Sequence, residues 1–181
     1  SSPEAFGENE RMPLGNVDTS QFPSAADHQR FSYGARKYLN EVALHHAVSK
    51  GLDGRIVRPF NAYGVDMLGD AYGQVVGMFF QAVRQQRPMA VHRDGSQTRS
   101  LTYIDDIVDG FYRAGHMDAA LDGSSLSGHS FNVGSTEEVS IRALAEAVNR
   151  TVGSMAVDCV LGGGYFGDSK RRLPDTSTAE A

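Results

Sequence analysis

Short apolar runs alternate with longer amphipathic stretches along this chain, and that alternation predicts its elements. Leu39, Val42, Ala43 and Ala47 recur at helical spacing. With Ser32 as a cap and Gly51 as a stop, they predict a helix from Ser32 to about Ser49. "GRIVRPFN", residues 54–61, is short and β-branched and ends at Pro59, so it reads as a strand leaving its sheet. "QVVGMFFQAVRQQ" predicts a second helix, stopped by Pro88, and "PMAVH" a strand that leads into an Asp-Gly turn. Asp105 and Asp106 suit the first turn of a third helix, with Ile107, Phe111 and Ala114 expected inward. "HSFNVGS" reads as a strand and turn. Ser140 caps "IRALAEAVNR", whose Ile141, Leu144, Ala145 and Val148 share one face. "MAVDCVL" predicts a last strand, and the tail "DTSTAEA" a helix start. Residues 8–31 are polar, carry two prolines and show no period, which predicts a long surface loop. Strands alternating with helices imply an α/β fold with a parallel sheet. Too few such units are present for a complete doubly wound domain.

A net charge of −5 and the absence of any Lys/Arg block argue against a nucleic-acid partner. No apolar run approaches the ~18 residues of a membrane span. The opening "SSPEAFGENE" is neither a signal nor a transit peptide. It also lacks an initiator Met and a first structural element, so the chain is expected to begin within a larger fold. The single cysteine, Cys159, excludes an internal disulfide, fits a reducing compartment and leads to the expectation of a cytoplasmic protein. Its apolar surroundings predict a buried side chain. His28, His45, His46, His92, His116 and His129 show no metal-ligand spacing.

Gly162, Gly164 and Gly167 spell G-x-G-x-x-G after the predicted strand "MAVDCVL". A dinucleotide cradle needs a helix to follow and an acidic strand end about 20 residues on. "DSKRRLPDTS" has no helical period and the chain stops short of the acidic position, so the motif fails two of three context tests. It reads instead as a loop delivering Arg171 and Arg172.

Tyr33 and Lys37 stand four apart at the start of the first helix, on one face. An ammonium beside a phenol stabilises the phenolate and makes a general base. Alone, such a pair is common. Around it lie "SSPEAFG" at 1–7, "RPFNAYG" at 58–64, "DGSQTRSLTYIDD" at 94–106, "FNVGS" at 131–135 and "RRLPD" at 171–175. In this order these resemble the extended short-chain dehydrogenase/reductases that modify nucleotide sugars: 4-epimerases, 4,6-dehydratases and, most of all, UDP-glucuronate decarboxylases.

The resemblance implies a partial Rossmann-like parallel sheet plus a small α/β substrate-binding domain. Residues 1–62 would be the C-terminal part of an NAD-binding domain. Residues 63–181 would mainly hold the nucleotide sugar, with 105–135 returning to the Rossmann sheet. The family's own glycine cradle would precede Ser1. The resemblance further implies NAD as cofactor, met by Tyr33, Lys37 and Ala62. It implies Ser2, Glu4, Tyr33, Lys37 and Arg172 as catalytic residues. A UDP- or dTDP-sugar would be bound by Asn61, Gln74, Val75, Val76, His92, Arg99 and Arg172. The two arginines would take the pyrophosphate, whose oxygens match the guanidinium fork. A homodimer through the Tyr33 helix is implied as well.

The implied first step removes the proton of the sugar 4-hydroxyl at Tyr33 while the C4 hydride passes to NAD⁺. Dehydratases of this family carry an acidic residue where Pro3 stands. Decarboxylases share Glu4 and the "DGSQTRS" stretch but have Arg at Gln74 and Tyr-Gly at His92–Arg93. The expected order is therefore a decarboxylase-like reaction, then 4-epimerisation, then 4,6-dehydration. A non-catalytic nucleotide-sugar-binding module is the alternative of another class.

Overall fold

The computed structural model describes residues 1–69, 74–163 and 169–180, with the backbone alone for 27–30. It opens with a 3₁₀ turn at Pro3–Phe6, then an irregular stretch, then helix α1 (His28–Val48). Strand β1 (Ile56–Pro59) pairs in parallel with β6 (Ser130–Val133), Ile56 opposite Ser130. Strand β2 (Ala62–Tyr63) pairs in parallel with β5 (Thr102–Tyr103), and β3 (Met89–Val91) with β8 (Cys159–Leu161). Strand β4 (Thr98–Ser100) runs antiparallel to β7 (Glu138–Ser140). The remaining helices are α2 (Val75–Arg84), α3 (Ile104–His116), α4 (Ile141–Val152) and the short α5 (Ser177–Glu180). The α/β class with parallel pairing is as expected.

One core forms where α2 and α4 pack on β3. Val76, Phe79 and Val83 meet Ile141, Leu144, Ala145 and Val148 over Met89 and Val91. The 3–4 residue spacing on both helices produces that face, and each large side chain buried there contributes roughly 1.5–3 kcal/mol. Ser140 caps α4 as expected, its Oγ accepting from the Ala143 N–H at 3.1 Å.

Five expectations need correction. Helix α1 begins at His28, so Ser32 is not its cap. Its predicted apolar face points outward, with Leu39 63% exposed, because Phe31, Gly34 and Glu41 form the inner face instead. Phe111 is likewise 46% exposed on α3, where Ile107 carries the burial. Cys159 is exposed, since β8 has a neighbour only on its β3 side among the described residues.

The stretch at 8–31 is not merely a surface loop. Leu14 is fully buried, its N–H donates to the Leu173 carbonyl at 2.8 Å, and its own carbonyl accepts from Asp175 N–H at 2.8 Å. Buried Asn132 adds a donor to the Leu14 carbonyl, also at 2.8 Å. Extended backbone can enter a core when its polar groups are paired in this way.

Beside this junction lies a buried ion pair. Arg58 on β1 donates through Nε and Nη2 to the two carboxylate oxygens of Glu41 on α1, at 2.8 and 2.6 Å. The Ser1 hydroxyl donates to the same carboxylate, and the Arg58 guanidinium sits 4.8 Å from the Phe6 ring centroid. Burial pushes the Glu41 carboxyl up, but the bonds from Arg58 and Ser1 outweigh it and hold the group below the usual carboxylate range. A carboxyl lowered on folding adds stability that is complete above its unfolded value and is lost as pH falls through the lowered one. The urea midpoint is therefore expected to drop on acidification between about pH 5 and pH 3, and to drop less in Glu41→Gln. Equal slopes in the two proteins would show that Glu41 does not carry the effect.

Among the described residues, no helix is long and apolar enough to cross a membrane, and no His/Cys/Asp/Glu cluster could hold a metal.

Candidate active site

A cleft of about 940 Å³ opens between the Pro3–Phe6 turn, the end of β1, and the α2–β3–β4 unit. Its lining includes Ser2, Glu4 and Tyr33, with Asn61 and Ala62 just past Pro59. The lining also includes Gln74, Val75 and Val76 at the start of α2, then His92 and Arg99. Arg172 reaches the cleft from the C-terminal segment. The fold thus gathers every predicted site residue but one into a single cavity. The exception, Lys37, lies one helical turn from Tyr33 with Nζ 5.3 Å from the ring centroid. It lines a neighbouring groove of about 580 Å³ with Ser1 and Glu41.

Local chemistry explains these placements. Ser2 caps the 3₁₀ turn, its Oγ accepting from the Glu4 N–H at 3.3 Å. The turn sits directly on α1 because position 34 is glycine: a Cβ there would lie 2.3 Å from the Glu4 carbonyl oxygen. The helix gives up the roughly 1 kcal/mol that alanine would add and gains close approach of Ser2 and Glu4 to the level of Tyr33. The phenol is 45% exposed, open to a substrate. Asn61 takes a positive φ of 35° and donates from Nδ2 to the Ser100 carbonyl at 2.9 Å, which joins the end of β1 to β4. Gln74 is the extended N-cap residue of α2 and makes no side-chain cap.

The arginines differ in setting. Arg99 is partly exposed and donates from Nη1 to the carbonyls of Thr98 and Ser169, at 2.7 and 2.9 Å. Arg172 is only 4% exposed. Its Nη1 donates to the Pro3 carbonyl at 2.8 Å, and its Nη2 to Glu4 Oε2 at 3.2 Å and to Ser169 Oγ at 2.6 Å. Arg171, next to it, points outward and pairs with Glu138.

Sequence reasoning missed Gln97. It is buried on the cleft wall with Nε2 donating to the His92 carbonyl at 3.2 Å. Its place two before Arg99 was the available signal. Of the glycine motif, Gly162 follows β8 as expected, while Gly164 and Gly167 lie outside the described residues. No helix occupies residues 169–176, so the motif's context fails as the sequence indicates.

Residues 1–134 match the family described as the NAD dependent epimerase/dehydratase family. The chain is 31% identical over 150 residues to a UDP-N-acetyl-alpha-D-glucosaminuronate decarboxylase from Bacillus cytotoxicus, covering 83% of this chain and 44% of that protein. It is 33% identical over 156 residues to a UDP-glucose 4-epimerase from Mycolicibacterium smegmatis, covering 84% and 43%. The chain therefore spans less than half the length of these curated relatives. A UDP-glucuronic acid 4-epimerase from Bacillus cereus, solved with UDP-glucuronic acid and NAD, superposes with a TM-score of 0.76 at 22% identity. That match covers 99% of this chain and 52% of the other, and it speaks to the fold alone.

Proposed function

The chain belongs to the NAD dependent epimerase/dehydratase family, and on that footing we propose that the protein modifies a nucleotide sugar through a 4-keto intermediate, with UDP-glucuronate decarboxylation as its reaction. One observation carries the reading: a single cleft is lined by Ser2, Glu4 and Tyr33 together with the α2 start and Arg99. Residues 1–62 and 105–135 then belong to the cofactor side, and the rest of 63–181 to the sugar-nucleotide side.

The residues at the cofactor end fit NAD. Tyr33 and Ala62 line the cleft together, Ala62 offers no bulk beyond Cβ, and Lys37 lies behind Tyr33 with donors for ribose hydroxyls. NAD bound there supplies the oxidising power by accepting the hydride from C4 of the sugar. Tyr33 takes the 4-hydroxyl proton, helped by the Lys37 charge. Ser2 hydrogen-bonds the same oxygen. Arg99 meets the pyrophosphate, Asn61 a phosphate oxygen, and Val75 and Val76 lie along the base. With a carboxylate at C6, the 4-ketone makes a β-keto acid. The C5–C6 bond then breaks, CO₂ leaves and the electron pair passes to the C4 carbonyl, with a proton returning at C5. Pro3 is buried and has no acidic proton, which weighs against dehydration. A 4-epimerase is the second reading, favoured by the Glu4–Arg172 pair, because that pair already engages the cation a sugar carboxylate would seek.

The outward apolar face of α1, Leu39 and Val42 included, supports a homodimer through that helix. The single cysteine is in keeping with a cytoplasmic setting.

The complete protein, given UDP-glucuronate, UDP-glucose and dTDP-glucose separately, is expected to release CO₂ from the first, read by product mass. A new sugar at unchanged mass selects the epimerase. Loss of water selects the dehydratase, and three unchanged substrates overturn the reading.

A further inference from the structure

We infer that the buried Glu41–Arg58 pair is a positioning pair: it fixes the rotation of α1 about its own axis, and with it the place of Tyr33 in the cleft and of Lys37 behind it. The inference rests on the proposed role of Tyr33 in a nucleotide-sugar site. Three features carry it.

First, the pair lies at the centre of the helix face that bears the chemistry. Around the axis, Gly34 falls about 20° from Glu41, Lys37 about 40° and Tyr33 about 80°. At one end of this face Gly34 packs on the Pro3–Phe6 turn. At the other end Glu41 is held to β1 by Arg58. Any rotation of α1 therefore shifts Tyr33 against Ser2.

Second, apolar packing alone does not select this rotation. Among the described residues, α1 buries three positions: Phe31, Gly34 and Glu41. Leu39, 63% exposed, stands about 160° around the helix from Glu41. Turning α1 to bury Leu39 would cover apolar surface but carry Tyr33 out of the cleft. The guanidinium–carboxylate fork opposes that turn, because its two parallel bonds fit one geometry and breaking them strands two buried charges.

Third, the pair also reaches the segment that carries Ser2. The hydroxyl of Ser1, its neighbour, donates to Glu41 Oε1. The Arg58 guanidinium lies 4.8 Å from the ring centroid of Phe6, at the far end of the turn. Arg58 Nη1 donates to the Asn16 carbonyl at 3.1 Å, beyond the turn. One buried contact thus sets α1, β1 and the Ser2 segment in a common register.

The test uses the complete protein and its Arg58→Met/Glu41→Leu double variant, in which no lone buried charge remains. The double variant should melt well above Arg58→Met. Its kcat should nevertheless fall by about a hundredfold, the scale of an ångström-sized misplacement. The UDP dissociation constant, measured by calorimetry, should stay within about twofold, because the α2 start and Arg99 belong to other elements. NMR reads the rotation without any ligand. Nuclear Overhauser contacts from Gly34 to the Phe22 ring, its near neighbour, should weaken in the double variant, while those between α2 and α4 persist. If the double variant does not fold, Glu41→Gln takes its place, with the Gly34 contacts weakened and kcat down by about tenfold, a fraction of the same misplacement. Equal losses of UDP affinity and kcat, a kcat within about threefold of the parent in the double variant, or unchanged Gly34 contacts overturn the inference. A wild-type protein that binds no UDP contradicts the nucleotide-sugar reading instead, and the Gly34 contacts still decide whether the pair sets the rotation of α1.

Discussion

Tyr33→Phe should lower turnover of the complete protein by roughly a thousandfold, within the range for loss of a general base. The substitution removes one oxygen from a half-exposed ring that lines the cleft, and leaves the ring in place beside Lys37. Folding and sugar-nucleotide affinity should therefore be kept. Steady-state kinetics with UDP titration by calorimetry separates the two effects. Substantial turnover in a folded Tyr33→Phe protein would move the base elsewhere in the cleft, with Glu4 the next carboxylate or phenol along the wall.

The largest stability effect is expected at Arg58→Met. Both side chains of the Arg58–Glu41 pair are less than a tenth exposed, and the guanidinium holds both carboxylate oxygens. Removing one partner of a buried pair leaves the other charge without compensation and costs about 3–5 kcal/mol. For a domain of this size that lowers the melting temperature by roughly 10 °C. The double variant Arg58→Met/Glu41→Leu should recover much of the loss, because no unpaired charge remains. Calorimetric melting of the three proteins checks both statements. A single variant as stable as the parent would mean that water reaches Glu41 and the pair contributes little.

These two sites show what the sequence could and could not convey. The spacing of Ile141, Leu144 and Val148 specified a helix face, and Ser140 its cap, because both signals are local. The Tyr33–Lys37 pair was legible for the same reason, and the flanking motifs, taken in order, assembled the rest of the cleft. Glu41 and Arg58 were invisible because a charged residue reads as surface until its partner across the fold is known. On α1 the period was right and the covered side was wrong. Spacing says which residues share a face, not whether anything packs on it. Leu14 and Asn132 belong to a junction made by segments more than a hundred residues apart, where no periodic signal exists. Arg172 read as a cation on a mobile loop, since nothing local reveals that Leu14 pins its neighbours.

The most direct test of the central claim uses a UDP-sugar carrying deuterium at C4, with the complete protein and NAD. If Tyr33 and the cofactor together oxidise C4, turnover slows relative to the unlabelled sugar, because the C4–D bond breaks in the first chemical step. Turnover of a nucleotide sugar at equal rates with both isotopes, under single-turnover conditions that expose the chemistry, would contradict the account.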